Sequence, residues 1–223
     1  MTSHFYQYIQ NNKFIDTIFI IGGGPSIKMM NLTALHDPKH FVICCNQAFE
    51  LFPHAQITHH SDYSWWMKYQ SQLETQFKGR FITGCGLGNS RSYPEIVECM
   101  QFIHHANQYQ LFKATDHVYG NNCGLQALSI AHLFQPKNIV LIGFDFKPLD
   151  GQTHGYAQLN TDPKLNYTHL WTLFLKSFKA FEQLKKTQWQ AAHPTRNPPQ
   201  IWNLNPDSAL TLYNKTKALE DFL

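Results

Sequence analysis

Gly22-Gly23-Gly24-Pro25-Ser26 follows directly on Thr17–Ile21, a run of apolar and β-branched residues. Glycines lack the Cβ that keeps a backbone away from a ligand. Pro25 suits the first position of a helix, and Ser26 sets a hydroxyl beside the free amides of that helix end. Amides at the positive end of a helix bind anions, phosphate above all. Asn46 and Gln47 close a second apolar run, Phe41–Cys45. Dinucleotide binders place an Asp or Glu there for the ribose hydroxyls and carry G-x-G-x-x-G in the turn. This chain has Asn46 and G-G-G-P-S, so an NAD site is not expected. The amide of Asn46 can still hold a ribose or a base edge, as donor and acceptor at once.

Transfer to a hydroxyl needs a base, and histidine serves without a large pKa shift. His154 stands in a polar loop after Asp145, and His169 precedes a long helical pattern; the sequence leaves both open. Asp145 and Asp62 are the carboxylates that a magnesium-bound phosphate chain would use. His59-His60 beside Asp62 invites a metal reading, but adjacent residues on a strand face opposite ways, so at most one lines a cleft. Trp65-Trp66 reads as packing.

These residues need elements to hold them. Apolar runs mark strands at Thr17–Ile21, Phe41–Cys45, Gln56–His59, Arg80–Thr83, Leu111–Thr115, Asn138–Gly143 and Ile201–Leu204. Helical spacing appears at Ile27–Leu35, Tyr63–Phe77 with Asp62 as cap, Glu95–Asn107, Leu125–Phe134 and Leu170–Gln188, and a terminal helix is expected after the turn Asn205–Ser208. Alternation of strand and helix implies an α/β fold, a single doubly wound, mostly parallel, Rossmann-like sheet with helices on both faces. Residues 1–15 read as an N-terminal strap and 16–223 as one nucleotide-binding domain. Ligands in such folds sit beyond the carboxyl ends of the strands. That rule gathers Gly22–Ser26, Asn46, His60–Asp62, Gly84–Ser90, Asp145–Phe146 and Asn203–Ser208 on one rim.

Composition narrows the partners. The 223 residues suffice for one sizeable domain. A net charge of +3 without a dense basic run suits a nucleotide or nucleotide-sugar better than a nucleic acid. Five scattered cysteines without a C-x-x-C pair give no zinc or redox motif. No signal-like start and no bilayer-length apolar run occur, so a soluble, cytoplasmic protein without a membrane span is expected. A homo-oligomer is left open.

Five motifs occur in order: G-G-G-P-S-I-K, C-N-Q, N-C-G before an apolar helix, I-V-L-I-G-F-D-F and N-L-N-P-D-S-A-L. The set resembles the superfamily of the bacterial sialyltransferases of glycosyltransferase family 42. The same superfamily holds the domain-of-unknown-function 115 proteins and the archaeal-type 6-hydroxymethylpterin diphosphokinases, and the chain looks most similar to its often phage-encoded branch. The resemblance implies a transferase with a nucleotide-activated donor, a CMP-sugar first. Gly22, Gly23, Gly24, Pro25 and Ser26 would meet the phosphate, and Asn46 the ribose. Cys123 and Gly124 would line the donor sugar, Asn203, Asn205 and Ser208 would close over the base, and Gln47 and Asp145 count with them as nucleotide-binding residues, Asp145 to bind a metal or orient an amide. His169 lies about where the sialyltransferases carry their catalytic histidine, in Y-x-H rather than Y-x-x-H spacing. Gly23 replaces an asparagine usual in that family, Lys147 stands where a phosphate-binding tyrosine is expected, and Tyr156 matches a second such tyrosine. His169, His154 and Tyr156 are thus the catalytic candidates. No cofactor is expected on this reading. The alternatives are a magnesium- and ATP-dependent pyrophosphokinase and a non-catalytic nucleotide-binding phage accessory protein.

Overall fold

A computed structural model of the chain describes residues 3–85, 93–103, 111–113, 116–156 and 166–223. Eight strands form one parallel sheet: β1 Thr17–Ile21, β2 Phe41–Cys45, β3 Ile57–His60, β4 Arg80–Cys85, β5 Val97–Ile103, β6 His117–Tyr119, β7 Asn138–Ile142 and β8 Gln200–Asn203. Their order is β6-β5-β4-β3-β2-β1-β7-β8. The chain steps outward from β1 to β6, then returns through a helix to β7 on the other side of β1. The direction of winding therefore reverses between β1 and β7, where open α/β sheets form their ligand crevice. The fold is the doubly wound α/β sheet expected from the alternating pattern.

Burial on both faces explains why the strands read as unbroken apolar runs. Ile18, Ile20 and Ile43 pack with Phe5 and Ile9 of α1 (Ser3–Asn11), Leu125, Leu128 and Ile130 of α3 (Cys123–Leu133) and Phe178, Phe181 and Trp189 of α4 (Tyr167–Ala192). Phe19, Ile21, Val42 and Cys44 face the other layer, with Phe49, Leu35 and Trp66, Tyr69 and Leu73 of α2 (Tyr63–Gln76). The expected strap is mostly helical, and α1 buries Phe5 and Ile9 completely. Among the described residues no helix is long and apolar enough to cross a membrane.

Four expected elements differ. Glu95–Asn107 does not start a helix; Val97–Ile103 pairs with β4 in the register Phe81↔Val97, held by an Arg80–Glu98 ion pair of 2.5 Å across the two strands. Tertiary pairing outweighs local helical spacing here. Leu111–Lys113 forms a turn rather than strand, residues 114–115 lie outside the described residues, and the edge strand is His117–Tyr119. After Asn205–Ser208 the chain runs irregularly to a short 3-10 turn at Leu219–Phe222. The segment after the glycines is also 3-10, in two pieces, Pro25–Met29 and Thr33–His36.

His59 and His60 point to opposite faces of β3, as strand geometry requires. His59 sets its two ring nitrogens 3.1 Å from Ile82 O and 2.9 Å from Gln126 Oε1 beneath α3. His60 is stacked among Trp65, Trp66 and Tyr93, with neither ring nitrogen hydrogen-bonded among the described residues. Burial depresses their pKa values to about 4 and about 3, and burial likewise takes His132 to about 3. Below pH ~6.5 the unfolded chain binds protons that the folded one refuses, so stability falls as pH drops from there toward 3–4. His60→Phe, which keeps the stacking and removes the unpaired nitrogens, is expected to raise stability by about 1 kcal/mol at pH 7. It should also flatten the loss between pH 6.5 and 5. Urea unfolding of both proteins at the two pH values checks this, and an unchanged or steeper slope in the variant would contradict it.

Candidate functional site

Beyond the carboxyl ends of β1 and β7 lies an open cleft of about 650 Å³ including its mouth. It gathers residues from five separate segments: Gly22–Gly24, Cys45-Asn46, Asn122–Gly124, Gly143–Phe146 and Thr153–Tyr156, with Tyr167, Trp171 and Phe174 of α4 as an aromatic wall. No lysine or arginine lines it among the described residues.

The glycine turn meets the chain itself more than open space. The Gly22 amide donates to Ile142 O (2.7 Å) and that of Gly24 to Gly143 O (2.8 Å). A Cβ on Gly24 would come within 2.6 Å of both the Asp145 carboxyl and the Gly143 carbonyl. Over Gly23 lies the Tyr156 hydroxyl, and Gly155 N bonds to Gly23 O at 2.9 Å, so the loop after β7 folds across the turn. Ser26 faces Asp145 rather than the cleft: its amide donates to Oδ2 (2.7 Å) and its hydroxyl to Oδ1 (2.5 Å). An internal carboxylate thus takes the anion position that the sequence suggested for phosphate. Of the turn, the Gly23 amide is left without an acceptor among the described residues.

The helix end that opens on the cleft belongs to α3. Asn122 caps it by accepting from Leu125 N (2.9 Å), and the amides of Cys123 and Gly124 have no acceptor among the described residues. With eleven residues, α3 presents the positive end of a real helix dipole, which the five-residue 3-10 turn at Pro25 does not. Only the N-C-G motif hinted at this in the sequence.

Asn46 sits at the floor with φ 51, a left-handed conformation that asparagine tolerates better than most residues. Its Oδ1 accepts from the Cys123 thiol at 3.1 Å, and its side chain also bonds the Tyr156 phenol. Gln47, by contrast, is turned toward α2, donating to Tyr69 Oη (2.6 Å) and accepting from Trp65 Nε1 (3.1 Å). Burial pushes the Cys123 thiol up to about 12, partly offset by its hydrogen bonds to Ser61 and Asn46, which makes it a poor nucleophile. Burial likewise pushes the Tyr156 phenol well above its usual range, so it stays protonated and acts as a hydrogen-bond donor.

The two candidate histidines separate cleanly. His154 lines the cleft, 3.0 Å by Nδ1 from Thr153 Oγ1 and packed by Tyr156 and Tyr167. Burial lowers its pKa to about 4, so at neutral pH its imidazole is neutral, and a weaker base than an ordinary histidine. His169 stands exposed in the first turn of α4, outside the cleft lining.

The C-terminal motif does not reach over the cleft. Asn203 Nδ2 donates to Phe144 O (3.4 Å), Ser208 Oγ to Phe144 O (2.5 Å), Ala209 N to Asp145 O (2.8 Å), and Asn205 Nδ2 to Asp145 Oδ1 (2.6 Å). Asn203, Asn205 and Ser208 therefore latch the turn after β7 from behind. The Gly84–Ser90 loop lies outside the described residues from Gly86 on. Among the described residues no group of three or more His, Cys, Asp or Glu is arranged to hold a metal. Comparison with protein-family models, with curated proteins and with solved structures found no match.

Two glycine substitutions should differ in cost. Gly24→Ala drives a methyl into the buried Asp145 carboxyl and a backbone carbonyl, and is expected to cost about 2–3 kcal/mol. Gly23→Ala meets only the end of the Tyr156 side chain and is expected to cost about 1 kcal/mol or less. Urea denaturation of the two variants gives the comparison; equal losses would mean that the Asp145 wall yields as easily as the tyrosine.

Proposed function

We propose that the protein is a transferase that uses a nucleotide-activated donor, with a CMP-sugar as the first donor to test and no resident cofactor. One observation carries the reading: the amides of Gly23, Cys123 and Gly124, without acceptors among the described residues, line the same cleft as Asn46 and the neutral imidazole of His154. Backbone amides at a helix end bind a phosphate without a cation and without magnesium. Asn46 and the Tyr156 hydroxyl offer hydrogen bonds to the ribose or the phosphate, and the Tyr167–Trp171 wall packs the sugar or base. His154 takes the proton from the acceptor hydroxyl as the bond to the donor sugar forms and the nucleoside phosphate leaves. His169, exposed and outside the cleft, is left without that role. A pyrophosphokinase needs carboxylates free toward a magnesium-bound triphosphate. Among the described lining residues the one carboxylate is Asp145, already bonded to three donors. A second reading, nucleotide binding without transfer, is favoured by the engagement of Gly22, Gly24 and Ser26 with the chain itself.

Thermal shift with CMP, CDP, UDP, GDP and ATP, each with and without magnesium, is expected to show magnesium-independent stabilisation by CMP, reduced about tenfold in affinity by Asn46→Ala. Hydrolysis of CMP-N-acetylneuraminate, with water in place of the acceptor, should fall 10²- to 10⁴-fold in His154→Gln while the CMP shift stays. Because the base works unprotonated, activity should persist down to about pH 4 and vanish below it. Magnesium-dependent stabilisation by ATP would favour the pyrophosphokinase, and a CMP shift without hydrolysis at any pH the non-catalytic reading. No shift with any nucleotide would overturn all three.

A further inference from the structure

A second cavity, of about 640 Å³ including its open mouth, lies at the carboxyl ends of β3 and β4, and its described lining includes Ser61, Asp62, Tyr63, Tyr93 and Gln126. It is separated from the first cleft by a thin wall: Ser61 Oγ is 3.1 Å from Cys123 Sγ, which is 3.1 Å from Asn46 Oδ1. Asp62 is the only charged residue in its described lining. At the N-cap of α2 a carboxylate would ordinarily accept from the helix amides, yet the exposed Asp62 side chain makes no such bond, and no side chain pairs with it among the described residues. The other polar groups are engaged: Gln126 with His59 and the Gly120 carbonyl, Ser61 with Cys123, the Tyr93 phenol with Thr83. Tyr63 and Tyr93 stand edge to face, centroids 5.1 Å apart, giving the pocket an aromatic side beside its one free acceptor.

We propose that this second pocket is the acceptor subsite, built for a neutral, hydroxyl-rich acceptor such as the end of an uncharged glycan. A carboxylate accepts from sugar hydroxyls in pairs, an aromatic edge packs the C–H face of the ring, and a lone negative charge turns away acidic acceptors. The acceptor's reacting hydroxyl then extends across the Ser61–Cys123 wall toward the donor cleft. Asp62 is a binding residue here, and proton removal stays with His154. The assignment rests on the nucleotide-donor reading.

The test is an array of neutral, amino-bearing and acidic glycans probed with the full chain in the presence of CMP. Neutral glycans are expected to bind, with affinity lost tenfold or more in Asp62→Ala and in Tyr63→Ala, and only about threefold in Asp62→Asn. The CMP thermal shift and the melting temperature should be unchanged in all three variants, because Asp62 caps nothing and Tyr63 is part exposed. Preference for acidic glycans would overturn the proposal. So would amino-glycan binding that collapses in Asp62→Asn, glycan binding indifferent to Asp62→Ala, or no glycan binding by a chain that responds to CMP. Absence of the CMP shift in the unaltered protein would instead count against the donor reading beneath it.

Discussion

The Asp145 carboxylate holds the site together. It is buried at the end of β7 and takes three donors from two distant parts of the chain: the amide and hydroxyl of Ser26 and the amide of Asn205. Hydrogen bonds to a charged group contribute roughly 1.5–3 kcal/mol each, and a carboxylate buried without them would be costly. The glycine turn, the turn after β7 and the C-terminal loop are therefore fixed by one group. Gly24 must be glycine because that carboxylate stands where its Cβ would be. The cleft is shaped by what is packed behind it.

Much of the fold was legible because a parallel sheet covered on both faces leaves a plain mark. Ile18 to Ile21 and Ile139 to Ile142 read as strands in any register, since each residue is buried on one side or the other. Val97–Ile103 was not legible, because Glu98 and Gln101 interrupt its apolar pattern. What makes it a strand is the pairing with β4 and the Arg80–Glu98 tie, both supplied by residues elsewhere in the sequence. The terminal segment misleads for a related reason: Asn205 and Ser208 bond to the turn after β7, while Asn203, Asn205 and Asn214 accept from amides two residues on, so its polar groups go to turns and tertiary contacts rather than to a helix.

The site was legible as a place and less so as a set of contacts. Rim position follows from strand ends alone, which is why Gly23 and Asn46 could be placed there in advance, whereas Gly124 was reached through the family resemblance and His154 through its place in the polar loop after Asp145. Which way a side chain turns at that rim is decided by partners far off in sequence. Gln47 lies next to Asn46 and looks toward α2, because Tyr69 and Trp65 satisfy its amide there. Ser26 looks inward because Asp145 awaits it. Between His154 and His169 the spacing along the chain does not choose; the folding of the loop after β7 over the glycine turn does.

The return from β6 to β7 has a consequence for the order of assembly. Ser26 and Asp145 are 119 positions apart, and Asn205 a further 60 beyond Asp145. Long-range pairing of this kind forms slowly, since loop closure precedes any gain from the contact. During synthesis the first six strands in the order of emergence can pair with one another, yet β1 keeps an open edge until β7 has left the ribosome. Even then Asp145 lacks one donor until residues 203–210 follow. The cleft is thus among the last features to form, and a chain interrupted late in translation would carry nearly the whole sheet and no organised binding site.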